Sequence, residues 1–112
     1  QYNFPEALKR AHQLLENAEK VNDEAKIAKA KSTLAYVKMF DAESTEAEKL
    51  NNESLNKNLL LKNENEIAKN YLLSALLFSR KSNFVKSVEM FLKSIELANK
   101  NKNYGKRSKN NI

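Results

Sequence analysis

The 112-residue chain has no cysteine and only one glycine and one proline. Without cysteine it can form neither a disulfide framework nor a thiolate metal site, and its compartment stays open, the cytoplasm being favoured over the periplasm. Few turns can depend on a positive or a fixed φ, which favours helices joined by short polar loops over a β-sandwich or barrel. No apolar run approaches the roughly 20 residues of a membrane span, so we expect no membrane insertion.

The residues needed for catalysis and cofactor binding are also scarce. The single glycine, Gly105, excludes a glycine-rich phosphate loop. One histidine, His12, falls short of a zinc site. Carboxylate pairs flank the starts of helical segments, where they favour the helix dipole. We therefore predict a protein that is not an enzyme, with no catalytic residues, no metal and no cofactor.

The net charge of +6 belongs mostly to the C-terminal end. The last acidic residue is Glu96, and the rest of the chain is nearly neutral once the terminal cations are set aside. A solubilising basic tail at residues 102–112 is the favoured interpretation. The alternative is a nucleic-acid-associated regulator that uses this tail, whose binding would weaken steeply with salt. The terminal cations are Lys100, Lys102, Lys106, Arg107 and Lys109.

Polar breaks divide the rest of the chain into five stretches with helical periodicity. Asn3 has the character of an N-cap, and Pro5 suits the first turn that follows it. The predicted helices run to about Val21, from Glu24 to Phe40, from Ser44 to Leu61, from Glu64 to Lys81, and from Phe84 to about Lys100.

The chain repeats itself with an offset of 40 residues. Ile27 and Ala28 fall on Ile67 and Ala68, and Leu15 falls on Leu55. One repeat is a pair of antiparallel helices, which cannot bury both of its faces alone and must stack on its neighbours. The chain is then either part of a longer solenoid or a short capped array.

Small residues keep fixed spacings within these pairs. We predict that they let helices approach closely, while Phe84 and Phe91 fill the space beside them. A serine there can donate its hydroxyl to the carbonyl one turn back on its own helix. Spacings of 12 and 19 residues relate Ala35 to Ala47 and Ser54, and again Ala75 to Ser87 and Ser94.

This spacing of small and aromatic residues resembles the tetratricopeptide repeat. The resemblance implies a right-handed solenoid of helix hairpins, about five helices in residues 1–101, followed by the basic tail. The common period of that family is about 34 residues, so a HEAT-type repeat is a rival. The residues that carry the resemblance are Ala7, Ala35, Ala47, Ser54, Tyr71, Ala75, Phe78, Phe84, Ser87, Phe91 and Ser94.

The resemblance also implies a concave groove, lined by the first helix of each unit, that holds a peptide or a partner protein. Long-period forms resemble arrays in bacterial sensor kinases and transcription regulators, so a sensor or scaffold segment attached to an output domain is expected. The alternative is that neighbouring helices cover the same positions. The implied groove residues are Lys29, Ser32, Tyr36, Met39, Lys69, Leu72, Leu76, Ser79 and, at the rim, Arg80.

Overall fold

The protein is all-α, as its composition predicts. The computed structural model describes the backbone of residues 3–40 and 44–110 and the side chains of residues 3–40 and 45–100, and this part of the chain contains no strand. Within these described ranges, five helices follow one another: α1 (Phe4–Lys20), α2 (Glu24–Lys38), α3 (Ser44–Leu61), α4 (Glu64–Arg80) and α5 (Phe84–Asn110).

Side-chain caps explain where three of the helices begin. Asn3 is the N-cap of α1, as predicted, and its Oδ1 accepts a hydrogen bond from the Glu6 amide at 3.2 Å. Asp23 caps α2 in the same way, and Asn83 caps α5. Each cap satisfies one amide that the first helical turn leaves without a partner.

Among the described residues, three helices are followed, one or two residues after their last residue, by a residue with positive φ. The next residue in each case donates its amide hydrogen to a carbonyl five positions back, which is the bond of a Schellman motif. The expectation that few turns would depend on positive φ is therefore wrong for these connections, because non-glycine residues adopt it. The three residues are Asn22 (φ 54°), Lys62 (φ 56°) and Ser82 (φ 62°), and the amides that follow are those of Asp23, Asn63 and Asn83.

Helix α5 is longer than predicted. The predicted end at about Lys100 rested on the loss of apolar periodicity, yet the helical backbone continues to Asn110. The side chains of residues 101–112, which include the predicted basic tail, lie outside the described part. Helix propensity alone can extend a helix past its last packed turn, since lysine is a good helix former.

Each helix packs on the next one along the chain. The contacts are most extensive within the pairs α2–α3 and α4–α5, which are the two predicted hairpins, and α2 also touches α4. Leu50 of α3 lies between two core clusters, one around Ala11, Leu34 and Val37 and one around Ala35 and Met39. The hydrophobic core therefore continues from the α1–α2 contact to the contacts of α2 with α3 and α4.

Buried small residues lie at contacts between helices. Ser87 is half-buried, and its hydroxyl donates to the Ala75 carbonyl at 2.8 Å. Ala7, Tyr71 and Phe78 are partly buried. The fully covered side chains at the spaced positions are those of Ala35, Ala47, Ser54, Ala75 and Ser94.

The serine hydroxyls bond across helices. Ser54 donates to the Ala28 carbonyl at 2.6 Å, and Ser94 donates to the Ala68 carbonyl at 2.7 Å. The two bonds are related by the 40-residue repeat. The predicted bond to the serine's own helix is wrong, because a small side chain brings the neighbouring helix within reach of the hydroxyl.

The two hairpins join their helices with different chemistry at equivalent positions. In α2–α3, the Lys31 ammonium pairs with Glu53 at 3.4 Å, and that of Lys38 pairs with Glu46 at 3.1 Å. Forty residues later, the ammonium of Lys93 lies 5.7 Å from the centre of the Tyr71 ring, and that of Lys86 lies 5.6 Å from the centre of the Phe78 ring. Ion pairs in one hairpin thus take the place of cation–π contacts in the other.

Phe84 and Phe91 do not fill space in the core. They are 62% and 49% exposed, because among the described helices α5 contacts α4 alone and no other helix covers it. The prediction of packed aromatic positions is corrected at these two residues.

Candidate protein-interaction groove

A groove of about 390 Å³ lies between α2 and α4. We call it the α2–α4 groove. The two helices occupy equivalent places in successive repeats, so equivalent residues face each other across it. Its lining residues are Ser32, Thr33, Tyr36, Val37, Lys69, Leu72, Leu73 and Leu76.

The groove is mostly apolar. Val37 and Leu73 are buried and form its floor. Tyr36, Leu72 and Leu76 are 46%, 39% and 40% exposed. Side chains exposed to this degree still have apolar area to lose to a partner, which is the property expected of anchor positions at an interface.

The Tyr36 ring contacts an aromatic side chain just beyond the C-terminal end of α2. It meets Phe40 edge to face, with the ring centres 5.4 Å apart and the planes at 69°. This is a favoured geometry for an aromatic pair. A ring fixed in this way loses little conformational freedom when a partner covers it.

Three polar side chains of the groove already have partners. The hydroxyls of Ser32 and Thr33 both donate to the Lys29 carbonyl, at 2.8 and 3.0 Å. The Lys69 ammonium pairs with Glu66 at 3.0 Å, and its side chain is largely exposed. A ligand would therefore gain mainly from apolar contact, with Lys69 as the cation at one side.

Five of the nine implied groove residues thus line one groove. Met39 does not: it is the C-cap residue of α2, is 4% exposed, and packs in the core with Ala47 of α3 and Leu73 of α4. Lys29 is exposed but borders a different hollow, beside Leu14 of α1. Ser79 and Arg80 are exposed near the end of α4 without lining the groove.

A second feature, which the sequence analysis missed, is a buried polar network between α3 and α4. Asn70 donates its amide hydrogens to Asn51 Oδ1 at 2.9 Å and to Ser54 Oγ at 3.1 Å. Asn51 donates to the Asn70 carbonyl at 3.2 Å and to Ser74 Oγ at 2.8 Å. Asn58 donates to Asn70 Oδ1 at 2.7 Å.

This asparagine network is almost wholly closed to solvent. Asn51, Asn58 and Asn70 are each at most 1% exposed. The Oδ1 atom of Asn58 has no hydrogen-bond partner within the described part of the chain. A signal was present in the sequence, since Asn51, Ser54 and Asn58 recur at steps of three and four on one helix face.

Neither a metal-binding cluster nor a membrane-spanning helix occurs among the described residues, 3–40 and 44–110. No three His, Asp or Glu side chains among them come together in an arrangement that could hold a metal ion. None of the helices there is both long and apolar enough to cross a bilayer.

Comparison of the chain with models of known protein families, with curated proteins and with solved structures finds no match.

Proposed function

We propose that the protein is a protein-interaction module, a stacked array of helix hairpins of the tetratricopeptide kind that binds a peptide through the α2–α4 groove. One observation carries the proposal. Residues from equivalent positions of two successive repeats, Ser32 with Leu72 and Tyr36 with Leu76, line a single apolar groove. The 40-residue repeat of the cross-helix serine bonds supports the array.

The groove favours a ligand with apolar anchors. Tyr36, Leu72 and Leu76 offer apolar surface, and the hydroxyls near them are engaged with the helix backbone. An acidic residue beside the anchors would meet Lys69, although it would compete there with Glu66. A peptide of two or three large apolar side chains with an adjacent carboxylate fits these features. By analogy with long-period arrays, we propose that the module is the sensor or scaffold segment of a larger signalling protein.

The test begins with a peptide selected against the wild-type protein from a random display library. Its affinity is then measured by fluorescence anisotropy for Tyr36→Ala and Leu76→Ala. We expect each change to weaken binding by about 1–2 kcal/mol, because each removes an anchor from the groove. Thermal melting should change little, because both side chains are partly exposed in the free protein.

Leu60→Ala is the matched control. Leu60 is 84% exposed on α3, away from the groove, so the same truncation should leave the affinity unchanged. If Tyr36→Ala and Leu76→Ala instead lower stability by several kcal/mol (about 3 or more) and leave peptide affinity intact, these residues belong to the core and the proposal fails.

A further inference from the structure

The contact between α3 and α4 divides the described helices into two parts. Among them α5 contacts α4 alone, and α4 contacts α2 only slightly, so the two parts meet mainly where α3 packs on α4. This contact is less extensive than the contacts within either hairpin. In a linear array each element is stabilised chiefly by its neighbours, so a weak contact between neighbours is where the array can open.

The asparagine network lowers the free energy needed to separate α3 from α4. When the two helices part, its buried amide groups exchange hydrogen bonds with one another for hydrogen bonds with water, so the net loss per bond is small. Opening an apolar contact instead exposes hydrocarbon to water over its whole area. The contact between α1 and α2, with Ala11, Leu34 and Val37, is of that second kind.

One atom of the network gains a hydrogen bond when the helices separate. The Oδ1 atom of Asn58 is buried and has no hydrogen-bond partner within the described part of the chain. A buried acceptor in this situation carries a desolvation penalty, which water removes once α4 moves away. The closed arrangement of α3 and α4 is therefore destabilised at this atom.

The turn between α3 and α4 lacks a cap that the other two turns with positive φ have. Lys62 adopts φ 56° in this turn, where a side chain with a Cβ atom meets a steric penalty. Asn63, which follows it, makes no side-chain hydrogen bond to the first turn of α4. Asp23 and Asn83 make such bonds to α2 and α5. Because caps stabilise the helix that follows them, α4 begins with less local support than its neighbours.

An apolar cluster opposes the separation. Leu73 and Leu77 of α4 pack there with Met39, beyond the end of α2, and with Ala47 of α3. These side chains become exposed when α4 leaves, so the closed array remains the major state.

We propose that α4 and α5 detach together from the other three helices, which stay folded, in a minor open state of the protein. The opening takes the α2–α4 groove apart, because α2 and α4 then lie in different parts. A peptide that contacts both helices would bind the closed array alone and would hold it closed. This coupling to a peptide rests on the proposed function, whereas the opening itself does not.

Native-state hydrogen exchange of the whole protein, resolved for each amide by NMR, tests the opening. A single helix hairpin cannot bury its apolar face alone, so a detached hairpin unfolds and its amides exchange. The amides of α2 and α3 exchange only when the whole protein unfolds. We expect the amides of α4 and α5 to share one protection factor, at least about tenfold below that of α2 and α3.

The internal repeat supplies a matched pair of variants. Ile27 of α2 and Ile67 of α4 are both buried and stand 40 residues apart. Ile67→Val weakens packing that the opening breaks, so it should lower protection in α2, α3, α4 and α5 alike, by roughly 2- to 10-fold. Ile27→Val weakens packing with Ala18 of α1, which the open state keeps. It should lower protection in α2 and α3 by a similar factor and leave α4 and α5 unchanged.

Two results would overturn the proposal. The first is one protection factor shared by all four helices and lowered equally by Ile27→Val and Ile67→Val, because the array would then unfold as a single unit. The second is exchange of α5 while α4 stays protected, because the division would then lie between those two helices.

The coupling is measured in the same experiment with the peptide selected for the groove. At about 100 times its Kd, this peptide should raise the protection of α4 and α5 about 100-fold. If Tyr36→Ala weakens the peptide but the peptide leaves the exchange of α4 and α5 unchanged, the coupling is wrong and the proposed function stands. If the peptide is insensitive to Tyr36→Ala while α4 and α5 still exchange together, the proposed function fails and the opening stands.

Discussion

Two contacts between successive helices use the same positions with opposite chemistry. The contact between α1 and α2, which we call the α1–α2 seam, is apolar. The equivalent contact between α3 and α4, the α3–α4 seam, lies 40 residues later and is a buried hydrogen-bonded network. The backbone arrangement accommodates either solution. At the equivalent positions the first seam has Ala11, Ala18, Ala30 and Leu34, and the second has Asn51, Asn58, Asn70 and Ser74.

This chemical difference between the two seams explains how a chain with an internal repeat can pair its helices correctly. Helices α2 and α4 are alike enough, sharing the Ile-Ala pair at Ile27 and Ile67, to compete for the same partner. A buried asparagine stabilises only the arrangement that supplies its hydrogen bonds. If α4 packed on α1, Asn70 would face Ala11 and Ala18 without a partner. The polar seam therefore disfavours exchange of the two helices.

The largest expected effect comes from removing the centre of the network. Asn70→Ala leaves the buried Oδ1 of Asn51 without its hydrogen-bond partner. It also removes one of the partners of Asn58 Nδ2 and of Ser54 Oγ, which keep the bond to each other. We expect a loss of about 2–4 kcal/mol in the free energy of unfolding, measured by urea denaturation. The mirror change Ala30→Asn should cost a similar amount, because the α1–α2 seam offers its amide no partner.

The control is a variant in which the α3–α4 seam carries the apolar residues of the α1–α2 seam. The variant carrying Asn51→Ala, Asn58→Ala, Asn70→Ala and Ser74→Leu removes the donors and acceptors together. It should recover most of the stability that Asn70→Ala alone loses, since replacing all partners is far less costly than orphaning some of them. A loss equal to the sum of the separate changes would mean that the network stabilises the seam by its own hydrogen bonds.

The backbone plan was accessible from the sequence because it rests on local signals. Apolar periodicity gave the helices, Asn3 gave the first cap, and the 40-residue repeat gave the two hairpins. The small side chains mark close contacts because no large residue fits there, which is a steric rule independent of the partner.

The polar seam could not be predicted in the same way. Hydropathy scores Asn51 as a polar residue whether or not its hydrogen-bond partners are present in the fold. Those partners are 19 and 23 residues away, at Asn70 and Ser74, and only the packed arrangement brings them together. The groove prediction for Met39 is wrong for a related reason: spacing alone does not show that α3 and α4 pack around this C-cap residue of α2.

A smaller effect distinguishes the two equivalent serines. Ser54 donates to the Ala28 carbonyl and also accepts from Asn70, whereas Ser94 donates to the Ala68 carbonyl beside an open face. Ser94→Ala should cost about 1 kcal/mol and Ser54→Ala about 2 kcal/mol, because only the second also strips the network of an acceptor. Chemical denaturation of both variants measures the difference between their free energies of unfolding. Equal losses would show that Ser54 contributes through its carbonyl bond alone.

The smallest effect lies in the turns that lead into the two seams. The residue with positive φ is Asn22 before α2 and Lys62, 40 residues later, before α4. Asparagine tolerates this left-handed conformation, while the longer lysine side chain meets the full steric penalty at Cβ. Lys62→Asn should therefore stabilise the protein by about 0.5 kcal/mol, and Asn22→Lys should destabilise it by a similar amount.

The stability change of both turn variants is measured from the midpoints of urea unfolding. Lys57→Asn is not a suitable control, because Lys57 pairs with Glu24. Lys20→Asn, in the last turn of α1 with ordinary helical φ, is the matched control, and asparagine there should be mildly unfavourable. Opposite signs at Lys62 and Lys20 for the same substitution would place the gain in the left-handed backbone itself. If Lys62→Asn were neutral or destabilising, the Lys62 side chain would have to make contacts that offset the strain of its left-handed backbone. The two turns would then differ for the same reason as the two seams, because in each case the effect of a residue depends on the partners that the fold supplies.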